Sequence, residues 1–171
     1  GNRETMKLKN LLCAGILLFG WCAAEAAPEG VNLLKEPLEI RNPKTTTLKD
    51  GVYTVVNPDE KTPSYITQTI ELNQEKALPL TFGAEGKAED HKGPFSGYYG
   101  IRLDLVHMDG TRQGWVNMGC FVDTADWKKA VRTYTPPKPV KSVTFYLQFI
   151  KHKGKVHFRN PVLIQGEAAK K

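Results

Sequence analysis

The side chains able to carry proton-transfer or nucleophilic chemistry are present in this chain but are not arranged for it. Its histidines are His91, His107, His152 and His157, and no two stand at the His-x-x-x-His spacing that sets a pair of metal ligands on one helical turn. Each reads as a solvated or packing histidine. Glu89-Asp90-His91 is a consecutive metal-capable run, but it falls in a polar loop where such groups are ordinarily hydrated. There is no phosphate-cradling glycine loop, no close cysteine pair and no nucleophile elbow. Glycoside hydrolysis would need two carboxylates facing each other across a cleft, and Asp104 is the only one read mid-strand on a polar face. The pattern points away from an enzyme.

A different chemistry is better represented. Stacking of an aromatic face on an apolar ligand surface, with planar polar groups beside it for hydrogen bonds, is the chemistry of non-covalent recognition. The segment "DWKKAVRTYTPP" (126–137) holds a Trp, lysines, an arginine and a tyrosine, but its alternation splits Val131 and Tyr134 between faces and Pro136-Pro137 stops it. It reads as a structural join. "QGWVNMGCFV" (113–122) carries more information. With period-two alternation, Val116, Met118, Cys120 and Val122 form an apolar face, which turns Trp115, Asn117 and Phe121 outward. The opposite register would bury Asn117 and expose Met118 and Val122, at greater cost. Cys120 then becomes an inert core thiol.

The elements that must position these residues are strands. No segment after the first quarter of the chain keeps a helical period, and short alternating runs recur between turn signals: 52–56, 65–72, 78–86, 98–108, 113–122, 130–135, 142–150 and 155–164. Asn57-Pro58-Asp59 and Asp109-Gly110 punctuate them, "KAEDHKGPFSG" (87–97) reads as a polar loop, and "KHKG" makes the last tight turn. The expectation is an all-β, antiparallel β-sandwich of about eight strands in a single domain over residues 31–165, with 166–171 as a frayed tail. In 98–108, Ile101, Leu103 and Leu105 share one face and Arg102 and Asp104 the other. In 142–150, Val143, Phe145, Leu147 and Phe149 oppose Thr144, Tyr146 and Gln148. The expected outward set is therefore Arg102, Asp104, Trp115, Asn117, Phe121, Tyr146 and Gln148, with Tyr98 and Phe95 as second-choice contacts at the rim.

Residues 6–26 read as a cleaved signal peptide. Lys7 and Lys9 precede an apolar core from Leu11 to Trp21, and Ala24-Glu25-Ala26 gives a small-x-small cleavage pattern. Residues 1–5 read as a cloning remnant or upstream extension. The expectation is a secreted, periplasmic or cell-surface protein with no membrane span after cleavage. Cys13 and Cys22 leave with the leader, so Cys120 remains alone and no internal disulfide is available. The chain's formal charge of +6 stays basic without the leader and suits anionic partners such as acidic glycans. The basic run "KHKGK" (151–155) could meet such a polymer, although at a β-turn it reads first as an edge-blunting device.

Taken in order, "VNLL", "YITQTIEL", "LPLTFGAEGKA", "IRLDLVHMDG", "DWKKAVRTYTPP" and "VKSVTFYLQF…GKVHFRNPVLI" resemble the jelly-roll carbohydrate-binding modules of the galactose-binding-like superfamily. More specifically, they are similar to the type appended to bacterial xylanases and other glycan-degrading enzymes. The resemblance covers roughly residues 31–164, and a fold of this kind hosts many roles. It implies a monomeric module that binds a polysaccharide or oligosaccharide, an acidic one included, and not nucleic acid. It implies that Trp127 packs under the sandwich edge with its lysines in solvent. It also implies a structural calcium held partly by an acid after the last strand's Phe. Here Phe158 is followed by Arg159, a cation in the acid's place, so no calcium is expected. The alternatives are an envelope structural or protein-interaction module that keeps the fold without sugar binding and, third, a small polysaccharide-active enzyme.

Overall fold

The structure, a computed structural model, describes residues 30–91, 98–119, 121 and 123–166. The readings at residues 6–26, Phe95, Cys120 and Val122, and at the tail beyond Gly166, lie outside the described residues.

Among the described residues ten strands follow one another: β1 Glu39–Ile40, β2 Thr46–Lys49, β3 Val52–Asn57, β4 Ser64–Glu71, β5 Leu80–Asp90, β6 Tyr99–His107, β7 Arg112–Gly119, β8 Lys128–Tyr134, β9 Val140–Phe149 and β10 Gly154–Gln165. They form two five-stranded sheets, ordered β1-β4-β9-β6-β7 and β2-β3-β10-β5-β8. Every pairing is antiparallel. The all-β antiparallel sandwich is thus the architecture, with ten strands where eight are expected. Among the described residues no helix is long and apolar enough to cross a membrane.

The two additional strands are short and polar. The β2–β3 hairpin turns through Asp50 and Gly51, whose φ values of 51° and 74° are the pair of positive angles that a two-residue type I′ turn requires. A further difference concerns β5. The polar run after Gly86 reads as loop, yet the strand continues to Asp90 because β10 lies alongside it, with Val156 opposite Ala88 and Lys155 opposite Asp90. Pairing by a neighbour satisfies the backbone whatever the side chains are.

Between the sheets lies one core. Ile101, Leu103 and Leu105 from β6 and Val143, Phe145, Leu147 and Phe149 from β9 meet Leu80, Phe82, Tyr53, Val156 and Phe158 from the facing sheet, all buried. These are the apolar faces that period-two alternation assigns in β6 and β9. The rule fails at Phe121. Expected outward, Phe121 is 0% exposed and packs against Tyr99 at 5.6 Å and Phe158 at 5.9 Å between ring centroids. The reason is local. β7 ends at Gly119, so alternation no longer governs residue 121, and the ring fills the space left by Gly86, where a Cβ would collide with it.

Candidate functional site

The outer face of the first sheet gathers most of the expected recognition residues. Register alone brings them together: Arg102 stands opposite Tyr146 of β9 and Asn117 of β7, and Asp104 stands opposite Thr144. Tyr146 in turn faces Thr67 of β4, and Gln148 faces Tyr65. From Tyr65 to Trp115 the face spans β4, β9, β6 and β7, three strand spacings or about 14 Å.

Arg102 is its centre. The guanidinium carbon lies 4.0 Å from the Tyr146 ring centroid, 4.5 Å from that of Trp115 and 5.7 Å from that of Tyr65. The residue is only 8% exposed, so three aromatic rings cover a cation. Asp104 Oδ2 accepts from Nη2 at 3.1 Å and Gln148 Oε1 accepts from Nη1 at 3.4 Å, while Nε has no protein partner. A buried arginine tolerates this place because its charge is paired and its flat faces stack on rings.

Trp115 is the exposed member, at 53%. β7 carries a bulge here: Val116 pairs with Leu103 and Gln113 with Leu105, so Gly114 and Trp115 together oppose Asp104. Trp115 takes a φ of 61°, a left-handed conformation costly to a bulky residue. Its N–H donates to Asp104 Oδ1 at 3.0 Å, so one carboxylate fixes both the arginine beneath the indole and the strained backbone that presents it. At the rim, Tyr98 meets the indole edge-on, with centroids 6.1 Å apart at 88°.

Among the sequence-selected residues, Trp115, Tyr146 and Tyr98 present ring surface, and Asp104 and Asn117 stand beside them. Gln148 departs from expectation. It lies on the correct face but is 0% exposed, because it sits on a central strand beneath large neighbours. It supports Arg102 and offers no atom to a ligand. Arg102 is likewise buried beneath the rings. Asn117 keeps a buried Oδ1 without a partner, and its carbonyl accepts from Arg132 Nη1 at 2.6 Å. Sequence reasoning misses Tyr65, although the alternation of "YITQTIEL" would place it outward with Thr67 and Thr69.

The outer face of the second sheet is held differently. Arg159 donates to Glu85 from Nη2 at 3.0 Å and Nε at 3.3 Å, and Asn160 Nδ2 donates to the same carboxylate. The hydrogen bond from Arg159 holds Glu85 below the usual carboxylate range, against the upward pull of its burial and with Asn160 adding to the lowering. A structural calcium does not fit this arrangement, since a fixed guanidinium already neutralises the available acid. Among the described residues no cluster of three or more His, Cys, Asp or Glu is placed to hold a metal. Trp127 stacks on the other side of Arg159 at 4.0 Å. It thus lies half-buried over the outer face of this sheet instead of packing under the sandwich edge, its ring held against the guanidinium. Thr54 Oγ1, His157 Nδ1 and Nε2, and Glu89 Oε2 form a chain at 2.9 and 2.7 Å, with Lys155 on the same carboxylate.

An open cleft of 1040 Å³ lies at one end of the sandwich, lined by Glu60, Asp90, His91, Asp123, Lys151 and His152 among others. The His91 and His152 rings are 4.8 Å apart, and His91 meets Tyr99 and Phe149 edge-on. Burial holds both imidazoles below their ordinary value. His152 adds to the effect on His91, whereas Glu60 opposes it at His152.

No family's sequence model matches the chain, and no curated protein does. Solved structures do. The carbohydrate-binding module TmCBM61, solved with β-1,4-galactotriose, superimposes with a TM-score of 0.52 at 15% identity, over 80% of this chain and 100% of that one. The CBM22-1 xylan-binding domain of Paenibacillus barcinonensis Xyn10C matches at 18% identity and TM-score 0.43, over 84% and 100%. The enzymatically active domain of bacteriophage CBA120 tailspike protein 4 matches at 12% and 0.49, over 75% of this chain, which spans only 18% of that one. At these identities what is shared is the fold: this chain has the β-sandwich architecture found in carbohydrate-binding modules.

Proposed function

We propose that the outer face of the first sheet is a non-catalytic glycan-binding platform, on which a sugar ring stacks against Trp115 with Tyr146, Tyr65 and Tyr98 extending the surface. One observation carries the reading: an exposed indole is held in a strained left-handed bulge over a buried arginine. Strain of this kind is kept where it presents a side chain for use, and indole faces suit the C–H side of a sugar. Besides Arg102, Asp104 is the polar side chain bonded at the indole's own residue, and Asn117 stands opposite Arg102 on the same face. Asp104 is already bonded to Arg102 and to the Trp115 N–H, so it is a poor candidate for acid–base work, and this favours binding over catalysis. The fold shared with TmCBM61, which was solved with a galactotriose, is in keeping with this role. The leader read at residues 6–26 favours action outside the cytoplasm.

Affinity electrophoresis against neutral and acidic polysaccharides tests the platform. At least one polymer retards the wild-type protein, and Trp115→Ala removes the retardation while leaving the thermal transition in place. Equal mobility of the two proteins on every gel would instead favour the interaction-module reading, and release of reducing ends would favour an enzyme.

A further inference from the structure

The platform ends in a cation. Beyond Trp115 and Tyr98, Lys151 Nζ lies 4.4 Å over the Tyr98 ring centroid and donates to its hydroxyl at 3.1 Å. The backbone brings this lysine alongside the tyrosine: Lys151 turns with a φ of 55°, and the adjacent Ile150 N–H donates to the Tyr98 carbonyl at 2.9 Å. Arg41, Arg102, Lys138, Lys155 and Arg159 each pair with a carboxylate. Lys151, like several other basic residues, has no described carboxylate within ion-pair distance; what sets it apart is that its ammonium is held against an aromatic ring at the platform's rim. An ammonium has three N–H donors, so two remain after the tyrosine. On the platform itself the one nearby acid, Asp104, has both oxygens engaged, by Arg102 and by the Trp115 N–H. Lys151 therefore brings a positive charge that no described carboxylate neutralises to within one ring of the stacking surface.

We propose that the ligand is an anionic glycan, bearing a uronate carboxylate or a sulfate ester, and that Lys151 is the residue that selects it. This rests on the platform reading and deepens it. A sugar stacked on Trp115 extends its neighbouring unit over Tyr98, where a carboxylate or sulfate oxygen takes charge-assisted hydrogen bonds from Lys151. The notion of a mere solubility device at 151–155 fits this lysine poorly, because a solvating lysine has no need to be held against a ring.

The test is calorimetric titration of the full-length protein with three probes: a neutral galactan oligosaccharide, an oligogalacturonate and a sulfated galactan oligosaccharide. An anionic probe is expected to bind at least tenfold tighter than the neutral one, and which of the two does so identifies carboxylate or sulfate. Lys151→Gln should weaken the anionic probe at least tenfold more than the neutral one, so that the preference is lost, and Lys151→Arg should retain it. Equal binding of neutral and anionic probes, with all binding lost in Trp115→Ala, would overturn this inference and leave the platform intact. A preference for the anionic probe that survives Lys151→Gln, or an equal loss for all probes, would also overturn it. Failure of the wild-type protein to bind any of the three, or any polymer of the electrophoresis panel, would remove both.

Discussion

At the scale of the residue, one carboxylate organises the candidate site. Asp104 ties a buried guanidinium to a strained tryptophan, so the indole is presented by backbone geometry that a tryptophan would not choose. A left-handed residue with a Cβ carries a cost of about 1–2 kcal/mol that glycine escapes. In urea titrations Trp115→Gly should therefore be more stable than Trp115→Ala by about 1 kcal/mol, both having lost the ring. A glycine variant no more stable than the alanine variant would show that position 115 is not strained. Period-two alternation makes Trp115, Arg102 and Asp104 legible from sequence as neighbours on one face. It says nothing of the bulge that lets Gly114 and Trp115 share a partner, nor of how deeply Gln148 and Arg102 sink beneath the rings. Burial on a given face depends on what the adjacent strands place there, and that information is spread over four separate segments.

At the scale of the element, the close approach of Phe121 to Gly86 joins the end of β7 to β5 across the core. Gly86→Ala should destabilise the fold by about 1–3 kcal/mol through overpacking, visible as a lower urea midpoint with an unchanged slope; an unaltered midpoint would mean that the aromatic cluster yields freely. The His91–His152 pair has its own signature. Both imidazoles have folded-state pKa values below the unfolded value of about 6.5, so the folded state binds protons less readily than the unfolded chain. Stability is then fully present above that pH and is lost as pH falls below it. The lowered carboxylates Asp59, Glu85, Glu89 and Asp109 lose theirs further down, below about pH 4. The melting temperature should decline between pH 7 and 5, and the double substitution His91→Gln, His152→Gln should flatten that decline. An identical slope in the variant would assign the acid sensitivity elsewhere.

At the scale of the whole molecule, the sandwich was legible because eight of its strands are long enough to alternate, whereas β1 and β2 are short and exist because a partner strand completes them. The resemblance to carbohydrate-binding modules predicts the fold, and the departure at Arg159 carries its own consequence. With Glu85 locked to Arg159, added calcium should leave the melting temperature unchanged, and a rise reversed by chelator would contradict this.

If ligand is met by Trp115 and not by Trp127, these two indoles, which lie on opposite faces of the sandwich, respond differently to it. The indole N–H signals of a nitrogen-15-labelled sample separate them during titration with β-1,4-galactotriose, xylohexaose and an oligogalacturonate. At least one of these should shift the Trp115 signal, identified by its loss in Trp115→Phe, while that of Trp127 stays in place. A moving Trp127 signal beside a stationary Trp115 would put the ligand on the second sheet and overturn the platform.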